Sequence, residues 1–144
     1  MADTEPSLSN CLYFTVNKLS RVIGKMAEEE FEITGLSPTY ALLINIVNVN
    51  KGVGQKEIGE ALHMTPSTIT RFIDKLEVKG LVIRKCEGKN CRIYPTEKGQ
   101  KLQPDIDKAW SNLHERYSKI LSYEKEKQLI ETIDKIGIKL EENF

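Results

Sequence analysis

A chain of 144 residues with 40% hydrophobic and 29% charged side chains is large enough for one domain with a real core, and it lies in the ordinary globular range, which excludes disordered and fibrous classes. Twenty-one basic and 21 acidic side chains cancel. No apolar run approaches the ~18 residues of a bilayer span, and the opening MADTEPSLSN is acidic and polar where a signal would be basic and then apolar, so a cytoplasmic protein with no membrane partner is expected. The neutral total hides a division of charge along the chain. Residues 1–49 hold 3 basic and 6 acidic side chains, residues 50–103 hold 11 and 6, and residues 104–144 hold 7 and 9. A basic middle between two acidic ends points to a polyanion met by the centre alone.

In chain order, apolar residues at 8, 12, 16, 19, 23 and 26 form one stripe on a long first helix, which cannot bury that stripe by itself. Residues 33–37 (ITGLS) form a loop. Ser37 before Pro38 is an N-cap with proline in the first turn, opening a second helix through Ala41, Leu42, Ile44 and Val47. The glycines and asparagines of 48–54 end it. Residues 55–62 (QKEIGEAL) predict a short helix with Ile58, Ala61 and Leu62 facing inward. After a three-residue connection, Thr65 caps and Pro66 opens another helix, whose Ile69, Phe72, Ile73 and Leu76 make an apolar face up to Gly80. Two short helices joined by a tight turn are a helix-turn-helix candidate.

Beyond Gly80 the run LVIRKC, the tetrapeptide EGKN and the run CRIYP predict a β-hairpin. A two-residue Gly88-Lys89 turn and a four-residue 87–90 loop give the same register, with Cys86 opposite Cys91 and Lys85 opposite Arg92. Thr96 then caps a long helix with apolar positions 102, 106, 110, 113, 117 and 120 or 121, and Pro104 inside it demands a kink or an early break. Ser122 caps a last helix in which Leu129, Ile133, Ile136 and Leu140 repeat with coiled-coil spacing.

The expected fold is therefore mostly α with a small β-hairpin. A helix-turn-helix followed directly by a hairpin is a winged helix, a module that sets its second helix in the major groove and its basic wing against the backbone or minor groove. The sequence closely resembles the MarR family of transcription regulators, through Leu36-Ser-Pro38, the 55–62 segment, TPSTITRFIDKLEVKGLV over 65–82, Thr96-Glu-Lys-Gly99, and Leu121-Ser-Tyr-Glu124. The likeness runs from about residue 8 to 141. It implies an obligate homodimer built from the terminal helices, two winged lobes on a pseudo-palindromic double-stranded operator, and a small-ligand or thiol input. The division expected is 1–34 and 100–144 as dimerisation helices flanking a DNA-binding module at 35–99. Stripes on the terminal helices, which lack a partner within a small lobe, agree with dimerisation, and the two recognition helices would then stand roughly 34 Å apart.

On the helix that follows Thr65, the side away from the apolar face shows Ser67, Thr68, Thr70, Arg71 and Lys75. Hydroxyls near a helix N-terminus bond phosphates or base edges, and Arg71 has the fork for a bidentate contact with guanine. Arg84, Lys85, Lys89 and Arg92 would present the wing's charges to the sugar-phosphate backbone. Where the family usually has Asp-x-Arg at the wing tip, this chain has Glu87-Gly88-Lys89 on a shorter wing. A lysine lacks the planar fork of arginine, so Lys89 is expected to touch phosphate.

Cys86 and Cys91 admit three readings: small residues of a hairpin with no special chemistry, which is the default, a cross-strand disulfide that stiffens the wing, or half a metal site. The two histidines, His63 and His114, have no metal-ligand spacing to the hairpin. Cys11 lies two residues before the position that the thiol-sensing branch of the family would use, which Tyr13 occupies here, so a packed thiol is expected. Tyr13, Phe14, Tyr40, Trp110 and Tyr117 are candidate walls for a small aromatic effector or simply core. No phosphate-cradling glycine loop, metal triad or nucleophile with a base stands in the sequence, so no enzyme and no cofactor is expected. The reading is a repressor released by a small ligand or by thiol oxidation. A winged-helix protein-interaction module without DNA binding is the alternative, against which the basic middle argues.

Overall fold

A short 3-10 turn over Leu8–Asn10 leads into α1, Leu12–Phe31. The computed structural model describes residues 8–144, so the first seven positions of the expected N-terminal segment lie outside the described residues. Helix α1 runs one turn and a half past the predicted stripe, because Ala27 and Phe31 continue it at i, i+4 spacing and are buried. The Phe31 ring meets Trp110 edge-on, with centroids 4.6 Å apart and planes at 75°. Three glutamates crowd the C-terminal turn of α1, where the helix dipole disfavours negative charge. Arg116 offsets this by donating to Glu30 at 3.0 Å, to Glu29 at 3.4 Å and to the Met26 carbonyl at 3.4 Å.

Helix α2, Pro38–Val49, buries Ala41, Leu43, Ile44 and Val47. Leu43 takes the inward place expected for Leu42, which is half-buried, since this central helix is covered over a wide arc. Ser37 has the extended backbone of an N-cap, but its side chain makes no capping bond. The following loop holds an unexpected strand, β1 (Val53–Gly54), which completes a three-stranded antiparallel sheet in the order β1-β3-β2.

Helix α3 (Gln55–Ala61) and helix α4 (Pro66–Val78) cross so closely at Gly59 that a Cβ there would stand 3.3 Å from both Ile69 Cγ1 and the Met64 carbonyl oxygen. Gly59 therefore takes the buried place beside Ile58, and Ala61, expected inside, is exposed. His63 turns the chain between the two helices with φ 52°. Thr65 caps α4, accepting from the Thr68 amide at 3.4 Å, and Ile69, Ile73 and Leu76 are buried as the spacing predicts.

The hairpin pairs β2 (Val82–Glu87) with β3 (Asn90–Pro95) in the predicted register, including Lys85 opposite Arg92 and Cys86 opposite Cys91. Gly88 holds a positive φ of 61°, the conformation that a two-residue hairpin turn asks of its first central residue. The long helix expected after Thr96 is divided. Helix α5 (Glu97–Lys101) ends at Leu102, and α6 (Gln103–Ser118) starts again with Pro104 in its first turn, where a missing amide is tolerated. Ile106, Ala109 and Leu113 of α6 enter the same core as α1, α2, α4 and the sheet. Of the two candidate positions before the last helix, Leu121 is half-buried and Ile120 exposed.

Helix α7, Tyr123–Glu141, is capped by Ser122, whose Oγ accepts from the Lys125 amide at 3.2 Å. None of its side chains is buried. Leu129, Ile133, Ile136 and Leu140 remain 40–55% exposed, as do Leu12, Val16, Leu19 and Val22 on the first half of α1 by 41–69%. These two stripes are apolar surface that the protomer's own core does not cover.

Candidate nucleic-acid interface

Helix α4 is fastened on three sides, leaving one face free. Tyr40 of α2 stacks on Phe72, with centroids 4.6 Å apart and planes at 29°. Gln55, at the start of α3, donates from Nε2 to Thr70 Oγ1 at 3.0 Å. Arg84 of β2 donates from Nη2 to Asp74 Oδ1 at 2.8 Å and to the Thr70 carbonyl at 3.4 Å, while Nη1 lies 3.8 Å from Glu77 Oε1 and the Arg84 amide reaches Glu77 Oε2 at 3.3 Å.

On the free face, Arg71 and Lys75 are exposed, and their side chains make no hydrogen bond or ion pair among the described residues. The hydroxyls are less free. Thr68 is half-buried and shares a 2.8 Å bond with the capping Thr65, and Thr70 donates to the Pro66 carbonyl at 2.9 Å while accepting from Gln55. Ser67 is exposed, held only by a 3.4 Å contact with Thr65 Oγ1.

The wing splits its four expected cations by pleat, since alternate residues of a strand point to opposite faces. Lys85 lies on one face with its Nζ 5.0 Å from the Tyr94 ring centroid, and Arg92, opposite it, donates from Nη1 to the Gly52 carbonyl at 3.1 Å. Lys89 stands in the turn, exposed and unpaired among the described residues. Arg84, on the other face with a side chain 19% exposed, has its charge engaged by Asp74 and Glu77. The structure thus brings Ser67, Arg71, Lys75, Lys85, Lys89 and Arg92 to accessible surface and turns Arg84 inward, from the expected phosphate contact to a tie between wing and α4.

Residues missed from sequence are those that do the tying: Gln55, Asp74, Glu77 and Tyr94. The signal for two of them was present, since Asp74 and Glu77 sit three apart on α4 and so share a face. Cys86 and Cys91 are joined by a disulfide, with their Cα atoms 4.0 Å apart. This replaces the default reading of two unlinked small residues. Cys11 is a free, half-buried thiol. Among the described residues no group of three or more His, Cys, Asp or Glu side chains is placed to hold a metal ion. The aromatic candidates for an effector site are dispersed: Tyr40 and Trp110 pack in the two ring pairs, Tyr117 packs against the core, and Tyr13 is exposed. Burial raises the Tyr117 hydroxyl above the ordinary tyrosine pKa, helped by nearby Glu126 and opposed by Arg116.

A helix-turn-helix with a basic hairpin wing, fused to long apolar-striped helices, defines a winged-helix protein of the nucleic-acid-binding class. The family model described as "MarR family" matches residues 36–93, the stretch from the start of α2 to the wing. The uncharacterized HTH-type transcriptional regulator YwoH of Bacillus subtilis (strain 168) is 30% identical over 115 residues, covering 80% of this chain and 78% of its own. The HTH-type transcriptional regulator MhqR of the same organism is 27% identical over 138 residues, covering 94% of each chain. Among solved structures, CouR from Rhodococcus jostii RHA1 bound to p-coumaroyl-CoA superposes with a TM-score of 0.77 at 26% identity, covering 92% of this chain and 95% of that one. The chain belongs to the MarR family of transcriptional regulators.

Proposed function

We propose that this protein is a homodimeric, sequence-specific DNA-binding regulator of the cytoplasm that represses transcription until a small ligand releases it. In this reading α4 enters the major groove of each half of a pseudo-palindromic operator. Arg71 contacts a base edge, Ser67 and Lys75 fix the helix against the backbone, and Lys85, Lys89 and Arg92 lie along phosphates. Thr68 and Thr70 contribute mainly by shaping the start of α4, and Arg84 by holding the wing. Residues 35–99 form the DNA-binding module, and α1, α6 and α7 supply the dimer. The observation that carries the reading is the free face of α4, which bears two unpaired cations and is framed by a basic wing.

The acidic outer segments carry the uncovered apolar stripes, so burying these stripes against a second copy keeps the basic faces outward. CouR, with its acyl-CoA ligand, supports an aromatic effector for this chain as well. A regulatory role asks for no catalytic constellation. Fluorescence anisotropy with DNA from upstream of the protein's own gene and with scrambled DNA, at several salt concentrations, tests the proposal. Preferential, steeply salt-dependent binding to an operator is expected. Equal affinity for every sequence refutes specificity, and no binding at low salt refutes DNA as the partner.

A further inference from the structure

The wing carries a chemical feature that DNA recognition alone does not require. Cys86 and Cys91 face each other across the hairpin one pair before its tip, in the pair next to Glu87 and Asn90. Between them lie the turn residues Gly88 and Lys89, so closing the bond encloses the turn that carries Lys89. Cys86 is exposed and Cys91 half-buried. Beyond Lys85 and Arg92, no side-chain hydrogen bond or ion pair among the described residues ties the tip to the rest of the lobe. Register, turn and disulfide are thus what hold Lys89 in place. A regulator that works on intracellular DNA meets a reducing pool of small thiols, where an accessible disulfide is a reversible state and seldom a permanent staple.

We propose that Cys86 and Cys91 form a reversible thiol–disulfide site whose oxidant is a low-molecular-weight disulfide, and that closing it strengthens the wing's hold on DNA. The proposal rests on the DNA-binding reading above. In the reduced wing, the exposed Cys86 reacts as its thiolate and attacks one sulfur of R–S–S–R. A Cys86–S–S–R bond forms, the reagent's S–S bond breaks, and the departing thiolate takes up a proton. The Cys91 thiolate then attacks the Cys86 sulfur, forming the Cys86–Cys91 bond and expelling the second RS⁻, which is protonated in turn. The protein loses two electrons and two protons, and R–S–S–R becomes two RSH. An excess of thiol reverses both steps.

The sense of the switch follows from what the bond restrains. In the closed wing Lys89 is presented by a ring anchored to both strands, whereas in the open wing the tip frays and its ordering must accompany DNA binding. Immobilising one long side chain and its turn corresponds to roughly a 3- to 10-fold difference per lobe, and so to roughly a 10- to 100-fold difference in operator affinity for the two-lobed dimer. Oxidation thus tightens the complex and reduction loosens it, the opposite of release by oxidation.

The test is a titration of the full-length protein in buffers of reduced glutathione and glutathione disulfide. Thiol labelling with mass spectrometry reports the Cys86–Cys91 bond, and anisotropy on operator DNA is read in parallel. The bond is expected to form and break across the range of ratios found in cells, with affinity rising roughly 10- to 100-fold as it closes in both lobes. The double variant Cys86→Ser, Cys91→Ser should hold the weaker affinity in every buffer, and Cys11→Ser should respond like the parent. A bond that stays closed, or never forms, throughout the range overturns the reversible site. A bond that opens and closes while operator affinity stays constant overturns its regulatory meaning and leaves DNA binding intact. Binding in neither state overturns the DNA reading itself, and the regulatory claim with it.

Discussion

Replacing Lys89 with alanine isolates the wing's electrostatic contribution, because this side chain is exposed, stands in the turn and has no partner among the described residues. Lys75, Lys85, Lys89 and Arg92 are the cations set against phosphate in each lobe, about eight contacts per dimer, which corresponds to a slope of log K against log salt of roughly −7. The substitution removes one contact from each lobe, so the slope should flatten by about 1.8 units. The same relation makes the variant roughly 60-fold weaker at ~0.1 M salt and roughly 10-fold weaker at ~0.3 M, as an upper limit for a fully formed contact. A phosphate contact carries no sequence information, so operator and scrambled DNA should weaken in parallel. The assay is anisotropy on both DNAs at four or five salt concentrations. An unchanged slope would show that Lys89 does not meet phosphate. A loss confined to the operator would show instead that it reads bases.

Arg84→Met keeps much of the buried stem but removes the charge held by Asp74 and Glu77. Stability should fall by about 1–2 kcal/mol, since the freed carboxylates are half-exposed and regain water. The salt slope of DNA binding should not change, and thermal melting alongside the anisotropy series checks both. Ile133→Glu with Ile136→Glu places charge on the uncovered stripe of α7, so light scattering should report monomers whose circular dichroism stays helical. A dimer that survives this change would move the interface elsewhere. Tyr117 has a raised pKa in the folded chain, so its contribution to stability is complete below the ordinary value of 10.0 and is lost as pH rises through the folded value. The parent's melting temperature should therefore fall more steeply than that of Tyr117→Phe above about pH 10, and parallel curves would contradict the assignment.

Local chemistry made much of this architecture legible in the sequence. Thr65-Pro66 and Ser122 are caps whose bonds involve residues three positions away, and the hairpin register follows from a turn that admits one pairing of its flanks. The break before Pro104 follows from a missing amide. Features set by distant chain segments were not legible. Strand β1 is two residues long, too short for a period, and exists because Val53 and Gly54 lie beside Ile93 and Arg92. Ala61 and Gly59 exchange places because α4 crosses α3 there, a constraint that a helical wheel of α3 does not contain. Arg84 belongs to a basic run by sequence, yet it faces two carboxylates on α4 that are seven and ten positions upstream. Composition reports how much charge a segment has, while pairing decides how much remains for DNA.

That distinction extends to Thr70, which joins the two halves of the DNA-binding surface. Its hydroxyl is engaged by Gln55 and the Pro66 carbonyl, and its own carbonyl accepts from Arg84. One residue of α4 therefore touches α3 through its side chain and the wing through its backbone. Because Arg84 also grips Asp74 and Glu77 one and two turns along, the base of the wing is fixed to most of the length of α4 and cannot slide along it without breaking several bonds together. A groove-reading helix and a phosphate-touching hairpin are useful only in a fixed relative position, since the phosphates set the register in which the helix meets bases. The base of the wing supplies that rigidity through paired charge, and the tip beyond Lys85 and Arg92 has no such support among the described residues. Any adjustable part of the contact is therefore confined to residues 86–91, the stretch that the two cysteines enclose.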